Sequence, residues 1–182
     1  MVIKLMLFKL LVNIRLFLVN LSYETKRKFL IKQGAKIGKG TRLNNLTSDF
    51  GTEPYLVEVG ENCLFAKDTY FVTHDGGVKV LNSLHKFEKN MDKIAPIKVG
   101  NNVYTGMRSM IMPGVIIGDN VIIGACSVVT HDIPSNSVAV GIPAKVICSL
   151  EEYYKRCLPK IEPWLPPKQK KNFYLKKFNE NI

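Results

Sequence analysis

From Val99 the chain repeats itself every six residues, as VGNNVY, TGMRSM, IMPGVI, IGDNVI, IGACSV and VTHDIP. The first position holds Val99, Thr105, Ile111, Ile117, Ile123 and Val129, and the second holds Gly100, Gly106, Gly118 and Gly124. The fifth holds Val103, Ser109, Val115, Val121, Ser127 and Ile133. The same phase occurs earlier at Val59, Phe65 and Phe71, and once more in IGKGTR at Ile37. A six-residue period suits one short extended face per unit, with the first side chain pointing inward and small residues allowing the turn that follows. Three faces close a coil of about 18 residues, and coils stack through parallel strand hydrogen bonds around a column of aliphatic side chains. The spacing therefore predicts an all-β solenoid, in which nearly every Gly, Ile and Val of the repeat serves the coil.

The rest of the composition limits what this coil can be. A chain of 182 residues that is 46% hydrophobic can bury a real core, which excludes a disordered or collagen-like protein. The net charge of +11 sits at the ends. Residues 1–32 carry 7 Lys/Arg against 1 Asp/Glu and residues 151–182 carry 8 against 4, while residues 33–150 carry 11 against 10. A nearly neutral centre argues against a nucleic-acid-binding fold, and no nucleic acid is expected as partner. Cys63, Cys126, Cys148 and Cys157 form no C-x-x-C pair, and they read as reduced packing residues of a cytoplasmic protein, with Cys63 and Cys126 buried in repeat positions.

The ends divide the chain into segments 1–32, 33–149 and 150–182. In the first, Ile3, Leu7, Leu10, Ile14, Phe17 and Leu21 recur at helical spacing, widened by Met6, Leu11 and Leu18. Lys4, Lys9 and Arg15 interrupt this stripe, against a spanning helix or a cleavable signal. Two readings stay open. The helix packs on the protein or a neighbouring subunit, or it lies in a membrane interface with Lys26, Arg27, Lys28 and Lys32 facing anionic lipid. In the last segment LEEYYKRCL reads as a short helix, and the remainder as an extended basic tail anchored on a neighbour by Trp164, with a membrane surface as the alternative.

Between Phe71 and Val99 the period breaks. The 28-residue step, with the charged stretch GGVKVLNSLHKFEKNMDKIAPI, predicts a loop leaving the coil at about residues 76–96. His74 stands immediately before it, in THDGG, where the Gly76-Gly77 pair would let the chain turn sharply.

FVTHDGGV at 71–78, VGNNVYTG at 99–106, MPGVIIGDNVIIGACSVVTHDIP at 112–134 and VGIPAKVI at 140–147 carry a family resemblance. The chain resembles the hexapeptide-repeat acyltransferases of left-handed parallel β-helix fold, in the branch of maltose, galactoside and capsule-type O-acetyltransferases. The left hand is implied by the resemblance alone, since parallel crossovers otherwise favour the right hand. The resemblance makes the histidine at the start of the protruding loop, His74, a general base. Imidazole suits that task near neutral pH, and no acyl-enzyme is needed. Asp75 is a candidate to orient His74, although neighbours on an extended chain point apart. His85, in the loop, either touches the acceptor or is simply exposed.

For acetyl-coenzyme A the resemblance implies an extended pantetheine along a groove between adjacent subunits of a homotrimer, approached by backbone at Gly106 and Ala125. It puts the oxyanion donor in the turn at Gly106-Met107. Met107 replaces a hydroxyl residue seen in some relatives, so the backbone N–H would serve. Thr130 and His131 match a Thr-Lys pair near the nucleotide end, and Lys145 matches a basic residue near the phosphates. Three histidines also serve zinc in carbonic anhydrases built on this coil, but His74, His85 and His131 lack a close His pair, and no metal is expected. The expectation is a homotrimeric, cytoplasmic O-acetyltransferase acting on a sugar, a precursor of a surface polysaccharide, with peripheral contact to the inner face of the membrane through residues 1–32 as the open alternative to a helix packed on the protein. An antibiotic or a small maltose- or galactoside-like sugar is the alternative acceptor, and a membrane-associated scaffolding solenoid is the non-enzymatic alternative.

Overall fold

A computed structural model describes residues 22–179 together with Leu11, Val12, Ile14 and Leu18. Those four are helical and exposed, and the remainder of the N-terminal stripe lies outside the described residues. The chain divides into two units, Met1–Glu151 and Glu152–Ile182.

Three parallel sheets make up the first unit, with strands numbered along the chain. One contains β1 (Lys36–Ile37), β3 (Val57–Val59), β6 (Ile97–Val99) and β9 (Ile116–Ile117), in that spatial order. The second stacks β2 (Arg42–Leu43), β4 (Leu64–Phe65), β7 (Tyr104–Thr105), β10 (Ile122–Ile123) and β12 (Ser137–Gly141), and ends on β13 (Ala144–Ser149), which returns antiparallel. The third holds β5 (Tyr70–Phe71), β8 (Met110–Ile111) and β11 (Val128–Val129). The chain visits the three sheets in turn, so each strand pairs with its equivalent one coil away. Ile123 sits opposite Thr105, and Ile117 opposite Val99, eighteen residues earlier in each case.

Inward first-position residues form the core: Leu43, Phe65, Phe71, Ile111, Ile123 and Val129 have no more than 1% of their surface exposed. Phe50 completes the third face of the first coil and stacks on Phe71 with ring centroids 4.4 Å apart. The fourth position turns each corner. Asn62, Asp68, Asn102, Arg108, Asn120 and Cys126 all have φ between 55° and 60°, a left-handed conformation that short polar side chains tolerate best. Two of these asparagine corners continue into a ladder with Asn136 (φ 58°), Asn102 donating to Asn120 and Asn120 to Asn136, each at 2.9 Å.

Four expectations need correcting. VTHDIP is not a full sixth unit: Ile133 bridges Ile117, sixteen residues earlier, so it occupies an inward first position and the last coil is two residues short. Cys126 is exposed, because the fourth position faces outward at the corner, whereas Cys63 at a fifth position is buried. Lys26 does not face lipid. It belongs to helix α1 (Tyr23–Lys32), which covers the first coil with Leu30, and its buried ammonium donates to the carbonyls of Leu43 at 2.9 Å and Asn45 at 2.8 Å. Burial pulls the Lys26 pKa down despite the nearby Asp49 carboxylate. Arg27 likewise turns inward, to the carbonyls of Ile37 and Gly38.

The fourth correction concerns the tail. Helix α3 (Leu150–Cys157) matches the short helix expected after the coil, but the segment beyond Trp164 is helical instead of extended, as α4 (Pro167–Asn179). Proline at the first helical position, followed by twelve residues without Gly or Pro, accounts for it. The protruding loop contains one further helix, α2 (Val78–Ser83).

Candidate active site

His74 leaves the coil just after β5. It is held at the root of the loop by an antiparallel bridge to Ile94, and by the flanking bonds from Asp75 N–H to Lys93 O and Ala95 N–H to Thr73 O. Its imidazole is 49% exposed, and Nδ1 lies 3.0 Å from a carboxylate oxygen of Glu53. A carboxylate only accepts, so Nδ1 carries the hydrogen, and in the neutral ring this tautomer leaves the Nε2 lone pair available. That is the state a general base requires.

Glu53 was not among the residues singled out from sequence. It sits in the preceding coil, 21 residues away, just before a 3₁₀ turn at Pro54–Leu56. Its side chain is 14% exposed and accepts from the Thr52 and Thr73 hydroxyls, the latter at 2.6 Å. These hydroxyls, then the His74 ring, hold its pKa down to about 2 from an ordinary 4.5, so the carboxylate is charged at neutral pH. The sequence signal that could have revealed it was faint: an acidic residue beside a Pro, one irregular turn before an in-phase strand.

Asp75 takes a different role from orienting His74. One of its oxygens accepts from the Gly77 N–H at 2.9 Å and the other pairs with Lys93 at 2.9 Å. These contacts, Lys93 foremost, hold its pKa below the usual carboxylate range. The turn at the exit of the chain is held by this carboxylate and not by glycine freedom, since Gly77, the residue before α2, has a right-handed φ of −62°. Asn82 then clamps the far limb through both its amide groups, to Met91 O at 2.8 Å and from Met91 N–H at 3.0 Å.

Between coil and loop lies a cleft of about 500 Å³ lined by Glu53, His74, Asp75, Gly76, Val78, Lys79, Asn82, Asn90, Asp92, Lys93 and Ile94 with Thr52. His85 is exposed at the end of α2 with φ 48° and is not part of this lining. Among the described residues no group of three or more His, Cys, Asp and Glu could hold a metal ion. No helix among them is long and apolar enough to cross a membrane.

The other expected residues lie outside that cleft, Gly106, Met107 and Ala125 at one corner of the second sheet. Gly106 lies so close to the next coil that a β-carbon there would stand 2.3 Å from the Ala125 nitrogen, and Cys126 N–H donates to Met107 O at 2.8 Å. Thr130 and His131 share a 2.8 Å hydrogen bond at the exposed end of the third sheet. Lys145 is exposed on β13, opposite Val140. The corner has a further property. On the first sheet the third-position N–H groups are satisfied by side chains of the next coil, Glu61 by Asn101, Asn101 by Asp119 and Asp119 by Ser135. On the second sheet, among the described residues, the equivalent N–H groups of Lys67, Met107 and Ala125 have no acceptor.

Stacked six-residue faces with a histidine at the root of a protruding loop define a hexapeptide-repeat protein. The match to known proteins agrees: residues 96–131 fit the bacterial transferase hexapeptide (six repeats) family. Protein CapG of Staphylococcus aureus is 39% identical over 170 residues, spanning 92% of this chain and 97% of its own. The chain belongs to the hexapeptide-repeat transferase family. Galactoside O-acetyltransferase of Escherichia coli K12 is 41% identical over 55% of this chain, and this chain spans 47% of it. The crystal structure of a maltose O-acetyltransferase from Clostridium difficile 630 superposes with a TM-score of 0.50 at 29% identity, covering 70% of this chain and 75% of that one. A galactoside acetyltransferase in complex with coenzyme A shares the fold, with a TM-score of 0.52 at 23% identity over 79% of this chain and 76% of that one.

Proposed function

We propose that this protein is an acetyl-coenzyme A dependent O-acetyltransferase that acetylates a sugar hydroxyl by direct transfer, with His74 as general base. The observation that carries the reading is the His74–Glu53 pair opening on the cleft at the loop root. In this reading Nε2 of His74 takes the proton of the acceptor hydroxyl as its oxygen attacks the thioester carbonyl. Glu53 stabilises the imidazolium that forms. The oxyanion is met by a backbone N–H, for which Met107 and Ala125 offer donors that no acceptor of the fold takes up. Collapse breaks the carbon–sulfur bond, and the imidazolium returns the proton to the departing thiolate, giving an ester and free coenzyme A.

The acceptor class is supported by the galactoside and maltose O-acetyltransferases among the relatives. The finer points belong to the same proposal: a left-handed coil, a catalytic segment at 33–149 with the loop at 76–96, and a homotrimer. In the single chain the cleft and the donor corner are separate sets of residues, which fits a site completed by a neighbour's corner. Thr130, His131 and Lys145 would then flank the nucleotide end of coenzyme A. A lipid-linked precursor of a surface polysaccharide suits the basic, apolar ends outside the coil.

The test is thiol release from acetyl-coenzyme A by wild type and His74→Ala across simple sugars, nucleotide sugars and chloramphenicol, with coenzyme A binding measured alongside. Acceptor-dependent release falling by about 10² to 10⁴ in the variant, with binding retained, is the expected result. Release unchanged in the variant would remove His74 from the chemistry, and neither release nor binding would favour a scaffold.

A further inference from the structure

We infer that the C-terminal unit docks on an anionic membrane surface through α4 and Trp164. Neither α3 nor α4 buries a single residue. Trp164 is 83% exposed, and Leu175 and Phe178 are more than half exposed. A unit of this size cannot supply a core of its own, and so much exposed apolar surface marks a place where something else binds. The charge says what. Helix α4, PKQKKNFYLKKFN, holds five lysines and no acidic residue; Lys177 pairs with Glu162, and Lys168, Lys170 and Lys171 are exposed along its first half. Lysines interleaved with aromatic and aliphatic residues suit the headgroup region of a bilayer, where rings and stems enter the interface and the ammonium groups meet lipid phosphates.

A single-stranded nucleic acid also takes lysines and rings, but it needs ring faces free to stack on bases. Here the rings of α4 face each other, Phe173 edge-on to Tyr174 at 5.2 Å and Tyr174 stacked on Phe178 at 5.8 Å. Leu175, beside them, has affinity for lipid and none for bases. The inference stands apart from the acetyl-transfer reading and would survive its failure.

Trp164 is the chain's single tryptophan, so its fluorescence reports this unit alone. The full chain is mixed with vesicles of phosphatidylcholine, with or without phosphatidylglycerol, beside the surface variant Lys168→Gln/Lys170→Gln/Lys171→Gln. Anionic vesicles should shift the emission to the blue and shield it from iodide, in a way that added salt reverses. The triple variant should need on the order of 100-fold more anionic lipid for the same shift. No shift with anionic vesicles, or an equal shift in the variant, overturns the inference. So does an emission already blue and shielded without vesicles, which would mean that a second copy of the chain covers the surface, or a shift with an oligonucleotide in place of lipid.

Discussion

Nδ1 of His74 and the carboxylate of Glu53 meet at 3.0 Å across the step between two coils. The pair is made by stacking and not by sequence proximity: Glu53 precedes β3, His74 follows β5, and one full coil separates them. Two hydroxyls fix the carboxylate in place, so the imidazole is oriented by a group that is itself oriented. Glu53 is a positioning residue, acting through the ring.

Glu53→Gln should lower the turnover number by about 10²-fold with little change in coenzyme A affinity, because the amide fills the same space without stabilising an imidazolium. The variant should also show a flatter acid unfolding curve. A carboxyl at about 2 in the folded chain against 4.5 when free stabilises the fold above pH 4.5, and that contribution fades as pH falls toward 2. Wild type and variant compared by thermal unfolding between pH 2 and 7 should therefore converge at the acid end.

Much of this was legible in the repeat and some of it could not be. A six-residue period dictates which side chains face inward, so Ile111, Ile117, Ile123 and Val129 were readable as core from spacing alone. It also revealed the loop, since an insertion appears as a missing beat. The period says nothing of what leans on the coil from outside it. Glu53 lies in an irregular turn between β2 and β3, and Lys26 in a helix whose basic residues look solvated until its partner carbonyls are known. VTHDIP misled because Pro134 and Ile133 fit the sixth unit by residue type, while the shortening appears only when Ile133 is seen to bridge Ile117. Alternation along an extended chain argues against Asp75 as the group that orients His74, and its partners in the loop, the Gly77 N–H and Lys93, are not marked by any spacing.

Gly106→Ala should separate the coil's demands from the loop's. Its β-carbon would meet backbone atoms of Ala125 at 2.3 and 2.6 Å, with no flexible side chain to give way. A cost of about 1–3 kcal/mol or more is expected, together with weaker coenzyme A binding. Gly76→Ala is the control, since nothing lies within 4 Å of the added carbon. Urea unfolding of both variants checks the contrast, which fails if the two midpoints shift alike.

Lys26→Met keeps the stem of the side chain and removes its ammonium. The carbonyls of Leu43 and Asn45 would lose their donor beneath α1, where Asn45 Oδ1 already lacks a partner. Leaving two buried acceptors unpaired should cost about 2–4 kcal/mol, partly offset because the charge no longer has to be buried. Hydrogen exchange should locate the loss in α1 and the first coil, with the amides of β7 and β10 still protected. Uniform loss of protection would mean that α1 is not a separable cap.

Cys126 offers a probe of the donor corner. It is exposed beside Ala125, whereas Cys63 and Cys148 are buried and burial raises the Cys63 thiol pKa, suppressing its thiolate. Since the thiolate is what reacts, iodoacetamide should label Cys126 well before Cys63 or Cys148, as read by peptide mass spectrometry of the native protein. If coenzyme A runs along the row of N–H groups at Lys67, Met107 and Ala125, saturating acetyl-coenzyme A should slow labelling of Cys126 by tenfold or more, on the order expected for a site fully covered by ligand, and leave Cys157 unaffected. Equal rates with and without acetyl-coenzyme A would put the ligand on another face of the coil. Cys126→Asn, which keeps a residue tolerant of the left-handed corner, should retain fold and activity, so that the cysteine is established as a reporter and not a nucleophile.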